Sequence, residues 1–179
     1  TAAQLSMRTA RDEVMRVLWS QERPDAVLLS DYDKGTLTPE FIAGVVDLCR
    51  NWGISCVADA KREPVTYCGA IIKANDIWRK QYGIPDGDWV ITQGDGPPFG
   101  RDGGWAFTLN PAQSGVVCRN HIGAGDCFAV HLVLALAYGF SLLDATRIAH
   151  SAGRVYVQFP HNRAPYPNEI AEDLSAAER

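Results

Sequence analysis

Nowhere in the 179 residues does an apolar run approach the roughly 20 residues that a membrane span needs. Basic clusters are missing too, and the formal charge is −4, so the concentrated positive field on which nucleic-acid binding depends is absent. Cys49, Cys56, Cys68, Cys118 and Cys127 are odd in number and show no Cys-x-x-Cys spacing, which excludes both a disulfide framework and a zinc knuckle as readings of the pattern. The four histidines lack His-x-x-x-His spacing, so no resident metal site is expected. The first residues, Thr1-Ala2-Ala3-Gln4-Leu5, show no basic stretch followed by an apolar core, and a cytoplasmic protein is the expectation.

What is present is a chain long enough for one domain with a real core, residues 1–179, and nearly half apolar, as a globular protein requires. Met7, Ala10, Val14, Val17 and Leu18 recur at helical spacing up to Pro24. Ala26 to Ser30 reads as a strand ending at Asp31. Thr38-Pro39-Glu40 starts a helix whose apolar face, Phe41, Val45, Val46 and Cys49, runs to Gly53. Strands follow at Ile54 to Ala58, ending at Asp59, at Ala70 to Lys73, and at Trp89 to Thr92, with a short helix from Asn75 to about Tyr82. This alternation predicts an α/β fold with a mostly parallel sheet flanked by helices. Ligands gather at the carboxyl ends of such strands, where Asp31, Asp59, Asn75 and Thr92 stand.

Between positions 94 and 118 turn residues around Gly103 to Leu109 predict a small antiparallel hairpin. The preceding Gly94-Asp95-Gly96-Pro97-Pro98-Phe99-Gly100 reads as a surface loop, because it has two prolines and no following helix. Gly123 to Tyr138 predicts a strongly apolar helix, Ser141 caps another to about Val157, and Asn168 to Ala177 forms a last one.

Asn120-His121-Ile122-Gly123-Ala124-Gly125-Asp126-Cys127-Phe128 opens the apolar helix with small residues. Backbone N–H groups and the helix dipole can then reach an anion, and a transferring phosphoryl group is one. Out of context the same run also fits an Asp-capped helix start behind a tight turn. In context it resembles the signature of the ribokinase (PfkB) carbohydrate kinases. Ser30 to Glu40, Val57-Ala58-Asp59-Ala60-Lys61 and Lys73-Ala74-Asn75 resemble, in the same order, segments of the heptose-phosphate kinase branch of that family.

The resemblance implies a ribokinase-like fold and an ATP-dependent, Mg²⁺-assisted phosphotransferase acting on an alcohol group of a sugar or sugar phosphate. Asp126 would be the general base, with Gly123, Ala124 and Gly125 as the anion hole. Asn75, Thr92, Gly94, Gly96 and His150 would face the nucleotide, and Asp31, Lys34 and Asp59 the substrate. Lys34 and Lys61 also fit ordinary solvent-facing lysines.

The matched segments cover the second half of these kinases, and the glycine-rich sugar-binding motifs and β lid of the first half have no counterpart in this sequence. Asn120-His121-Ile122 stands where the family has Asp-Thr-Thr or Asp-Val-Thr, Trp78 where its Asn-x-x-Glu has the glutamate, and His150-Ser151-Ala152-Gly153 where it has Asn-Ala-Ala-Ala. Two functions therefore stand side by side: a kinase module, and a catalytically inactive, kinase-derived nucleotide-binding or assembly protein. Either is expected to self-associate as a homodimer or to take a partner that supplies the missing half.

Overall fold

The computed structural model describes residues 12–17, 23–110 and 116–177. Residues 12–17 are helical, and the rest of the helix expected over Met7 to Leu18 lies outside the described residues. The elements that follow are β1 (Ala26–Ser30), α1 (Pro39–Trp52), β2 (Ser55–Asp59), a 3₁₀ turn (Pro64–Tyr67), β3 (Ile71–Asn75), α2 (Asp76–Tyr82), β4 (Trp89–Gln93), β5 (Gly96–Asp102), β6 (Trp105–Thr108), α3 (Ala124–Ala137), α4 (Leu142–Tyr156) and α5 (Pro167–Ala177).

Local chemistry sets the helix ends. Thr38 Oγ1 accepts from the N–H of Phe41 at 3.3 Å, Pro39 occupies the first helical position, and Gly53 ends α1 in the left-handed region with φ 69°. Ser141 caps α4 in the same way, accepting from the Asp144 N–H at 3.1 Å.

The six strands lie in sequence order. β1 to β4 are parallel, and β4, β5 and β6 are antiparallel. Alternate residues feed two faces. Ala58, Ile72 and Ile91 pack with Ile42, Val45 and Val46 of α1, and Val57 and Val90 pack with Phe128, Leu132 and Ala145 of α3 and α4. The parallel strands carry their carboxyl ends, and hence Asp31, Asp59 and Thr92, to one end of the sheet.

One expectation is corrected. Residues 96–100 are not a surface loop, since Gly96–Asp102 pairs with β4. Gln93 faces Gly96 and Ile91 faces Phe99, so β5 carries an extra residue between these pairs, and the prolines at 97 and 98 fall in that bulge. A bulge releases ladder hydrogen bonds, which is where a missing N–H is tolerated. Other strand and helix limits differ from the expected ones by one or two residues. No helix among the described residues is long and apolar enough to cross a membrane.

Candidate active site

The loop after β1 is held by a buried clamp. Asp31 Oδ2 accepts from Arg62 Nε at 2.8 Å and from the Tyr67 hydroxyl at 2.7 Å, and Oδ1 accepts from the Asp33 N–H at 2.8 Å. Burial pushes the Asp31 carboxyl upward, but the Tyr67, Asp33 and Arg62 donors together outweigh it and hold the group below its ordinary value. Both oxygens are thus engaged internally. Asp31, expected on the substrate side, anchors the loop that follows it.

A second buried group lies under the start of α3. Lys73 of β3 donates to Asp59 Oδ1 at 3.1 Å and to the Gly125 carbonyl at 3.0 Å. Burial depresses the Lys73 ammonium below its ordinary range, against the opposing pull of Asp59. Lys61 Nζ, 3.7 Å from Asp59 Oδ1, adds a second positive charge at the strand end. Asp59, also expected on the substrate side, is therefore joined to the start of α3 through a lysine.

Gly123 precedes α3 with φ 86°, and a Cβ there would meet the Tyr156 hydroxyl at 2.6 Å. That hydroxyl donates to the Ile122 carbonyl at 2.7 Å, so a glycine is needed for the turn and for its anchor. Asp126 is not the cap of the helix; it stands in the first turn, and Gly123 supplies the cap position without a side-chain hydrogen bond. The N–H groups of Gly125 and Asp126 have no acceptor within the helix, as first-turn donors do not. Tyr32 donates its hydroxyl to Asp126 Oδ1 at 2.7 Å, across 94 residues of sequence.

A cleft of about 380 Å³ opens beside this helix start. Ala124, Gly125 and Phe128 form one side, Thr92, Gly94, Gly96 and Pro98 another, and His150, Gly153 and Arg154 of α4 a third. His121 also lines it. Burial, helped by Arg154, pushes the His150 imidazole below its ordinary value, which favours a neutral ring facing the cleft.

Four of the five residues expected to face a nucleotide, Thr92, Gly94, Gly96 and His150, converge on this cleft. Asn75 is not among its lining residues, and its Oδ1 accepts from the Trp78 N–H at 2.9 Å as the cap of α2. Lys34 is exposed and does not line the cleft either. Trp78 is buried in the core and donates from its indole to the Arg62 carbonyl at 2.8 Å. Sequence reasoning gave no role to Tyr32, Arg62, Tyr67 or Lys73. Only Lys73 carried a signal, a charge inside the apolar strand Ile71-Ile72-Lys73-Ala74.

No protein-family model matches the chain. The Bifunctional protein HldE of Caulobacter vibrioides is 32% identical over 162 residues, which is 74% of this chain and 32% of that protein. HldE of Rhodopseudomonas palustris is 31% identical over 197 residues, covering 97% of this chain and 40% of that protein. Among solved structures, Escherichia coli phosphofructokinase-2 in complex with potassium superposes with a TM-score of 0.73 at 16% identity, over 97% of this chain and 62% of that one. The chain is a homologue of HldE with a ribokinase-like fold. It spans about a third of the length of the curated relatives it matches. Arabidopsis thaliana ribokinase complexed with ribose and ATP shares the fold as well, with a TM-score of 0.68 at 16% identity over 84% of this chain and 55% of the other.

Proposed function

We propose that this chain is an ATP-dependent phosphotransferase module that acts on an alcohol group of a sugar or sugar phosphate. The observation that carries the reading is Asp126: a carboxylate at the start of α3, beside a nucleotide-sized cleft, already accepting a hydrogen bond from a hydroxyl at 2.7 Å. In the transfer, the acceptor oxygen bonds to the γ-phosphorus and the bond to the β-bridging oxygen breaks. ADP leaves and the hydroxyl proton passes to Asp126. The N–H groups of Gly125 and Asp126 supply donors for phosphate oxygens, and the apolar Phe128, Pro98, Val116 and Val157 suit a nucleobase. Lys73 holds the Gly125 carbonyl and so fixes the peptide plane that carries the Asp126 N–H.

The described residues contain no cluster of three or more His, Cys, Asp or Glu side chains that could hold a metal ion. Mg²⁺ would arrive on the nucleotide phosphates with most of its water shell, with Asp126 the carboxylate in the first turn of α3. The ion would neutralise charge on the transferring group.

Gly125→Val is expected to weaken ATP and ADP binding together, by calorimetry in the presence of Mg²⁺. A Cβ at Gly125 lies 3.4 Å from Lys73 Nζ, so the branches of valine crowd the ammonium or the face on which phosphate would sit. Unchanged affinity for both nucleotides would place the phosphates elsewhere.

A second reading, a kinase-derived nucleotide-binding protein without turnover, is favoured by Asn120. Its Oδ1 accepts from the Ile122 N–H at 3.0 Å and its amide donates to Asn162 at 2.7 Å, so this position before the glycines offers no carboxylate. Nucleotide binding without any phosphorylated product selects this reading.

The homodimer belongs to the same proposal. Among the described residues β1 is an edge strand, and Val130 and Leu134 of α3, with Tyr138 just after its end, expose an apolar stripe on the helix that lies over β1 and β2. Free edges and apolar stripes of this kind favour association, most simply with two-fold symmetry. Light scattering at micromolar concentration is expected to give twice the 19.6 kDa of one chain, and a species of 19.6 kDa would remove the dimer.

A further inference from the structure

We propose that Tyr32 guards Asp126: its hydroxyl holds the seat of the acceptor hydroxyl on Oδ1, keeps water from that seat, and yields only when an acceptor displaces it. This inference rests on the assignment of Asp126 as the base of a phosphotransferase.

The geometry is that of a base with its substrate hydroxyl. A general base must lie within about 2.6–3.2 Å of the oxygen whose proton it takes, and Tyr32 donates to Asp126 Oδ1 at 2.7 Å. The contact is built rather than incidental. On one side of Tyr32, Asp31 is locked by Arg62 and Tyr67. On the other, Asp33 adopts φ 52° and gives its N–H to Asp31 Oδ1. Both flanking backbones are thus fixed, and the ring is sent toward α3. Lys61 Nζ lies 5.9 Å from the centre of that ring and within 3.7 Å of Asp59 Oδ1, which ties the ring to the end of β2 as well.

The same geometry makes the guard removable. Tyr32 is 55% exposed, so its ring gives up little packing when it swings away. The bond to Asp126 raises the phenol above its ordinary value, so the hydroxyl remains a donor rather than a nucleophile at neutral pH. Without the hydroxyl, a water could bond to Asp126 and attack ATP. Its oxygen would bond to the γ-phosphorus, the bond to the β-bridging oxygen would break, its proton would pass to Asp126, and ADP and inorganic phosphate would leave.

The test uses MgATP with no acceptor present. Phosphate release is compared for the parent, Tyr32→Phe, Asp126→Asn and the double variant, and the intact mass of each protein is measured afterwards. Tyr32→Phe is expected to release phosphate several-fold faster than the parent, the double variant to fall back to the Asp126→Asn rate, and the parent mass to stay unchanged. A merely structural tyrosine gives no gain in rate. Equal or slower release by Tyr32→Phe overturns the guard, and so does a phosphoryl group on Tyr32, which would make that hydroxyl an acceptor. Calorimetry with ATP separates the two failures: binding with unchanged release sinks the guard alone, whereas no binding to the parent sinks the phosphotransferase reading and the guard with it.

Discussion

Asp126→Asn is expected to slow phosphoryl transfer to a sugar-phosphate acceptor by about 10²- to 10⁴-fold while leaving the fold and the affinity for ATP nearly unchanged. The amide keeps the shape of the carboxylate and can still accept from the Tyr32 hydroxyl, but it cannot take up a proton. Because Asp126 sits in the first turn of α3 and does not cap it, the substitution removes no capping bond. Steady-state rates, with nucleotide affinity measured separately, check this. A variant that turns over like its parent would remove Asp126 from the chemistry.

Lys73→Met is expected to destabilise the protein by about 3–5 kcal/mol in urea unfolding, the range for removing one partner of a buried ion pair. Methionine keeps much of the apolar stem but leaves Asp59, itself buried, with only the more distant Lys61, and leaves the Gly125 carbonyl without its donor. The double variant Lys73→Met/Asp59→Leu is expected to be less destabilised than the single one, since no unpaired charge remains. The pH dependence has a definite sign. The folded Lys73 value lies below the ordinary lysine value of 10.5, so between the two the unfolded chain binds the extra proton. Parent stability should therefore gain from this group as pH rises through that window and lose the gain as pH falls through the lowered value. Lys73→Met should lack that slope.

Much of this arrangement was legible because it is written locally. Thr38, Pro39 and Gly53 delimit α1 by cap chemistry, and the apolar runs at β1, β2 and β4 carry the parallel sheet. Gly123-Ala124-Gly125-Asp126 marks a helix start by composition alone, and Thr92, Gly94, Gly96 and His150 meet at one cleft.

What the sequence hid is long-range pairing. Tyr32 with Asp126, Arg62 with Asp31 and Lys73 with Asp59 join residues 94, 31 and 14 positions apart, and no periodicity encodes such contacts. Asn75 also has a local duty that its place in the sequence allows: an asparagine before a helix is first of all a cap, and its oxygen accepts from the Trp78 N–H. The prolines at 97 and 98 argue against a strand by composition, and the bulge that admits them leaves no local signature.

The most direct test of the central claim is phosphorus NMR of the protein with MgATP and a panel of sugar phosphates. The expected result is loss of the ATP γ-phosphate signal with matching growth of ADP and of a new phosphate monoester for at least one member of the panel. ATP that stays intact across the whole panel, in a protein shown by calorimetry to bind it, would contradict the kinase and leave a nucleotide-binding protein in its place.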